Sequence, residues 1–129
     1  MRDILFRGKR KKTGKWVYGN YVVTDNNGKQ HFVFQNKAFE FEVDPKTVGQ
    51  YTGLTDKNGK KIFEGDILRE YHPEQDVIIE WSDGSFGFRR ANKPKDRVYS
   101  TVRYMQNAMS RLKIIGNIYD NPELLEVEE

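Results

Sequence analysis

VGQYTGLTDKNGKKIFEGDIL, residues 48–68, sets four glycines and three carboxylates within twenty-one positions. Such a stretch is either a loop that grips a ligand or a device that reverses the chain, and the choice decides the fold. A phosphate-cradling loop needs G-x-x-x-x-G-K followed by a hydroxyl residue. Here five residues separate Gly53 from Gly59, and Lys60 is followed by Lys61. A calcium loop needs its glycine at position 6 and a glutamate at 12. Counting from Asp56, glycine falls at position 4. What remains is Glu64-Gly65-Asp66, whose two carboxylates project to one side if the segment is a strand, an arrangement a hydrolase or nuclease could use. The plainer expectation is that Gly65 bends the chain and Asp66 caps nearby backbone as the next strand begins. The stretch therefore reads first as a folding device.

Outward from it the punctuation continues. KTGK (12–15), NNGK (26–29), KNGK (57–60) and SDGS (82–85) are turn signals. Asn-Gly and Asp-Gly accept the positive φ of tight hairpin turns, so each predicts a hairpin where alternating residues flank it. A two-residue loop at Asp83-Gly84 sets Trp81 opposite Phe86, Ile79 opposite Phe88, Glu80 opposite Gly87 and Ile78 opposite Arg89. Val77, Ile79, Trp81, Phe86 and Phe88 then share a core face. The same logic at Asn27-Gly28 pairs Val23 with Phe32, Tyr21 with Phe34 and Val22 with Val33, a hairpin buried on both sides. At Asn58-Gly59 it pairs Asp56 with Lys61, Thr55 with Ile62 and Leu54 with Phe63. Strands are expected near 2–10 and 15–24, with the register at KTGK open. TDNNGKQHF (24–32) resembles TDKNGKKIF (55–63), but the shared letters are mostly turn residues, which recur by physical need.

Helix signals are few. In STVRYMQNAMSRL, Val102, Met105, Met109 and Leu112 stand at spacings of 3, 4 and 3, which predicts a helix over 100–112. Asn121-Pro122-Glu123 before Leu124 and Leu125 predicts a short terminal helix. KIIGNIYD between them reads as a strand with Gly116 at a bend or close approach.

A chain of 129 residues fits one domain, 1–129, with a subdivision at 1–50 and 51–129 open. Without cysteine, disulfides, thiolate zinc sites and thiol nucleophiles are excluded. The hydrophobic fraction of 36% is low, yet 13% aromatic residues set the chain apart from disordered sequences. No apolar run approaches the roughly 20 residues of a membrane span, and a cytoplasmic location is expected. His31 and His72 have no neighbours at metal-ligand spacing, and no serine sits in a nucleophile elbow. No catalytic residue, metal or cofactor is expected.

Charge is segregated. Residues 1–15 hold seven Lys/Arg against one Asp, residues 89–113 hold eight against one, and residues 120–129 hold five acids and no base. Lys9, Arg10, Lys11 and Lys12, with Arg89, Arg90, Lys93 and Lys95, are candidate nucleic-acid-binding residues. They interleave with Phe6, Trp16, Phe86 and Phe88. Cations displace counterions from phosphates, and exposed rings stack on bases. Against this stands the plain expectation that the charges are solvated loops and the rings are core.

RDILFRGK (2–9), TGKWVYG (13–19), residues 48–68, VIIEWSDGSFGF (77–88) and IIGNIYDNPELL (114–125) together resemble the YopX family, carried mainly by phages and prophages. The resemblance implies a mainly β, hairpin-rich domain with an SH3-like small barrel in its C-terminal half, entered at EGDI. It supplies no catalytic residues. It implies an accessory protein, expected to be a non-enzymatic module whose partner is a protein or a nucleic acid, with self-association open. The alternative is a carboxylate-dependent hydrolase or nuclease using Glu64 and Asp66.

Overall fold

The computed structural model describes residues 4–25, 28–36, 39–82, 84–91 and 110–125. The chain is mainly β and forms two compact units, residues 1–51 and 52–129. Lys93, Lys95, and the helix expected over 100–112 except for its last three residues, lie outside the described residues.

The first unit is an antiparallel sheet of β1 (Phe6–Lys9), β2 (Trp16–Thr24), β3 (Gln30–Asn36), β4 (Phe39–Glu42) and the start of β5 (Gly49–Thr55), in the order β4-β3-β2-β1-β5. The sheet curls until its end meets its middle: Lys11 N–H donates to the Glu42 carbonyl at 3.1 Å and Asp44 N–H to the Lys9 carbonyl at 2.9 Å, around one bridge between Arg10 and Val43. A 3-10 turn, Pro45–Thr47, then leads the chain back along the edge of β1, where the Thr47 hydroxyl accepts from Lys9 N–H at 2.9 Å. Two features permit the curl. A Cβ at Gly19 would overlap the Phe34 carbonyl, so only glycine lets β2 bend so close to β3. Inside, Val17, Val33 and Val43 form a small core with Phe41 and Val48 packed on it.

The β2–β3 hairpin corrects the sequence-based register by one residue. Val22 faces Phe32, Val23 faces His31 and Tyr21 faces Val33, and the loop runs between Thr24 and Gln30 rather than closing at Asn27-Gly28. It is not buried on both sides, because Val22 and Val23 are exposed.

In the second unit β5 continues and pairs with β6 (Lys61–Phe63). There follows a four-stranded antiparallel sheet in the order β10-β7-β8-β9, made of β7 (Asp66–Arg69), β8 (Val77–Ser82), β9 (Ser85–Arg90) and β10 (Lys113–Asn117). β7 and β8 are covered on both faces. Leu68, Val77, Ile79 and Phe86 pack with Ile62 on one side; Ile67, Ile78 and Ala91 meet Ile115, Ile118, Leu124 and Leu125 on the other. Each fully buried Ile or Leu contributes about 2 kcal/mol.

The β8–β9 register is the one the two-residue Asp83-Gly84 loop demands, Trp81 to Phe86 and Ile79 to Phe88. One member of the expected core face departs from it. Trp81 is 52% exposed, with its ring edge-on to Phe86 at 4.8 Å, because it sits next to the hairpin tip, beyond the packed centre. Among the described residues the sheet is open and no barrel closes, so the SH3-like closure is not observed. Where a terminal helix was expected there is a 3-10 turn, Pro122–Leu125. Asn121 closes it through its carbonyl, which accepts from Leu124 N–H at 3.1 Å, while its side chain accepts from Asn117 N–H. That side chain fills the space a Cβ at Gly116 would take, the close approach expected there.

The opening stretch is occupied by its own backbone. Asp56, buried, accepts from the N–H groups of Asn58 (2.8 Å), Lys60 (2.9 Å) and Ile114 (3.0 Å). It thereby wraps the turn and ties it to β10. The hairpin closes with Asp56 N–H on the Lys60 carbonyl, a three-residue loop with Gly59 at φ 82°, and not in the two-residue register that paired Asp56 with Lys61. Gly59 adopts a conformation that a side chain disfavours. Asp66, also buried, accepts from Phe63 N–H at 2.7 Å. Gly65 at φ 93° donates to the Ile79 carbonyl and accepts from Ile118 N–H.

Candidate nucleic-acid interface

The first unit sets Lys9, Arg10, Lys11, Lys12 and Lys15 at or beside one turn. β1 and β2 end at the pair Lys9 and Trp16. Beyond it Arg10 N–H donates to the Lys15 carbonyl (2.9 Å) and Gly14 N–H to the Arg10 carbonyl (2.8 Å), so residues 12–14 protrude. Lys11, Lys12 and Lys15 are exposed there.

The cations differ in what they touch. The Arg7 guanidinium stands 4.5 Å, and the Lys9 ammonium 5.4 Å, from the centre of the Trp16 ring. The Arg10 guanidinium covers Phe41 at 4.4 Å, capping the small core. Such contacts contribute about 0.5–2 kcal/mol each, and they fix where the charge sits. Lys11 pairs with Glu42 at 3.5 Å, both ends solvated, so that pair contributes little. Lys12 lies at the tip of the turn.

In the second unit Arg89 is held by Glu80 at 2.5 Å. Arg90 follows it on β9, and successive residues of a strand face opposite sides, so these two arginines do not make one patch. Phe86 is buried and Phe88 is packed against the same cluster, which removes both from any stacking role.

Alternation sorts the rest of the first unit. Arg7 lies opposite Tyr18 and Lys9 opposite Trp16, on the side of the sheet away from Val17 and Val33. The observed register of β2 with β3 puts Phe34 opposite Asn20 and Phe32 opposite Val22, and so on that same side. Tyr18, Phe32 and Phe34 are the residues that sequence reasoning missed. A one-residue slip in register exchanges the two faces of a strand, and the assumed two-residue loop had placed both phenylalanines with the core. The period-two spacing of Trp16 with Tyr18, and of Phe32 with Phe34, was the available signal.

Three groups have displaced proton affinities. Burial pushes the Tyr21 hydroxyl up, and it shares a 2.5 Å hydrogen bond with His31 Nδ1. Burial alone would raise Asp56, but the N–H donors of Ile114, Lys60 and Asn58, aided by the charge of Lys60, outweigh it and hold the carboxyl below its ordinary range. The Arg69 guanidinium is raised by its hydrogen bonds to Asp76, against burial, and by the charge of that carboxylate. Those bonds are two, Nε to Oδ1 and Nη2 to Oδ2, each 2.8 Å. None of the three lies in a cluster suited to a metal: no group of three or more His, Asp or Glu arranged to hold one occurs among the described residues. No helix among them is long and apolar enough to cross a membrane.

The family model for the YopX protein matches residues 5–126. The chain belongs to the YopX family. This YopX chain is similar in structure to protein EF1440 from Enterococcus faecalis, a crystal structure that it matches with a TM-score of 0.62 at 25% identity, over 98% of this chain and 100% of that one. Among curated proteins nothing matches it. Family and neighbour fix the YopX fold, and the chemistry has to be argued from the residues.

Proposed function

We propose that this protein is a phage or prophage accessory module that binds nucleic acid in the host cytoplasm without catalysing a reaction. The observation that carries this is the protruding β1–β2 turn, where Arg10, Lys11, Lys12 and Lys15 fall within six residues with no acid among them. Lys9 stands beside it, fixed over Trp16. Cations on a turn neutralise phosphates by releasing condensed counterions, an attraction that requires no pocket. Arg89 and Arg90, on opposite sides of β9, carry no part of this reading.

The carboxylate-dependent hydrolase is the weaker reading. Asp66 is buried and spends an oxygen on Phe63 N–H, as a cap does. An SH3-like kinship of residues 51–129 belongs to the proposal; it is supported by Leu54 and Ile62 of the β5–β6 hairpin packing onto Leu68, Val77 and Ile79.

The test is a salt titration of binding to single- and double-stranded oligonucleotides. Affinity should fall linearly on a log–log plot, with about 0.7 lost from the slope per phosphate contact removed on a single strand. Lys12→Ala combined with Lys15→Ala should flatten it by one to two such contacts. Absence of any affinity at low salt removes nucleic acid and leaves a protein partner.

A further inference from the structure

We infer that the outward side of the β1–β2–β3 sheet is a stacking platform selecting single-stranded over double-stranded nucleic acid; this rests on the binding function proposed above and names its ligand class. Trp16 and Tyr18 alternate along β2, and the register sets Phe34 and Phe32 beside the next two outward positions, Asn20 and Val22. Trp16 and Tyr18 on β2, then Phe34 and Phe32 on the neighbouring β3, thus follow one another in steps of two residues, about 7 Å each along the strand direction, with a sideways shift of about 5 Å between Tyr18 and Phe34. That step is about twice the 3.4 Å rise of a strand within a duplex. An extended strand with separated bases matches it, and a stacked one does not.

Tyr18, Phe32 and Phe34 reach solvent because the core of this unit lies on the other side of the sheet, at Val17, Val33 and Val43, while Trp16 carries Arg7 and Lys9 over its ring. Tyr18 is 43% exposed, and Phe32 and Phe34 are half-buried with their rings edge-on at 6.4 Å. Charge complements them at one end only. Lys9 stands over Trp16, its partner in register, and the basic turn lies just beyond; Arg7, on the same side, is buried against Trp16 and presents no charge to a ligand. A backbone crossing the turn would deliver its bases onto the row. Aromatic faces accept any base, so the platform is expected to be tolerant of sequence. A duplex hides the base faces and could use the turn alone.

The experiment is fluorescence anisotropy with a labelled oligothymidylate and a duplex of matched length, on the full chain, at several salt concentrations. The unaltered protein should favour the single strand. Tyr18→Ala should weaken oligothymidylate binding about tenfold, leave duplex binding and the salt slope unchanged, and be rescued by Tyr18→Phe. Phe34→Leu, which keeps apolar volume, should weaken it severalfold in the same selective way. Thermal melting verifies that each variant is folded. If both variants bind like the unaltered chain while Lys12→Ala with Lys15→Ala still loosens the complex, the platform is wrong and the basic turn stands. If the unaltered chain binds neither oligonucleotide at low salt, platform and proposed function fall together.

Discussion

The two units handle their sheet faces and buried charges in opposite ways. Residues 52–129 cover β7 and β8 on both sides, and among the described residues the charges they bury are the carboxylates Asp56, Asp66 and Asp76, each met by backbone N–H groups or by Arg69. Residues 1–51 bury Val17, Val33 and Val43 on one side of their sheet; on the other they bury the cation Arg7 against Trp16 and leave Tyr18 and Val22 in water. Apolar residues on both faces make a framework. A face left to aromatic and basic residues costs burial and gains a surface that can bind. Buried carboxylates are cheap where they replace missing backbone partners, since a charged acceptor forms the stronger hydrogen bonds.

The largest effect that could break this contrast is at Arg69. Arg69→Met leaves the buried Asp76 carboxylate without its two-bonded partner and should destabilise the second unit by about 3 kcal/mol. Urea unfolding followed by Trp81 fluorescence in a Trp16→Phe background measures it, and a loss under 1 kcal/mol would mean that the carboxylate is not integral to the framework. Next comes Gly19→Ala. The added methyl meets the Phe34 carbonyl in the first unit, and about 2 kcal/mol should be lost there, reported by Trp16 in a Trp81→Phe background.

The smallest effect concerns acid. The folded Asp56 carboxyl is held below its ordinary value of 3.8. Its contribution is therefore complete above that value and is lost as pH falls through the lower, folded one. Acid titration of the second unit should show this step, and Asp56→Asn should remove it at some cost in stability at neutral pH. Persistence of the step in Asp56→Asn would assign it to another carboxylate.

Hairpin registers show where local reasoning succeeds. At Asp83-Gly84 every pair from Val77 to Ser82 follows from the two-residue loop. At Asn58-Gly59 the Asp56 side chain bonds Asn58 and Lys60 and draws the turn into three residues. Between Thr24 and Gln30 the loop is longer still, and the one-residue slip carries Phe32 and Phe34 to the outward face. The candidate interface was thus half legible: Lys9, Arg10, Lys11 and Lys12 stood out as a run, whereas Tyr18 and Phe34 required the register. Trp81 shows the converse, since its face was right and its position along the hairpin left it exposed.

The sequence by itself determined the class of the fold, the places where the chain turns, the use of residues 48–68 as a folding device and the exclusion of thiol chemistry. These depend on local conformational preference and composition, which neighbours along the chain carry. Only the tertiary structure decided which side of β2 and β3 meets water, that Asp56 reaches Ile114, and that β4 curls back to β1. Those outcomes join residues far apart in sequence, and they turn on a one-residue register whose energy comes from packing rather than from the turn itself.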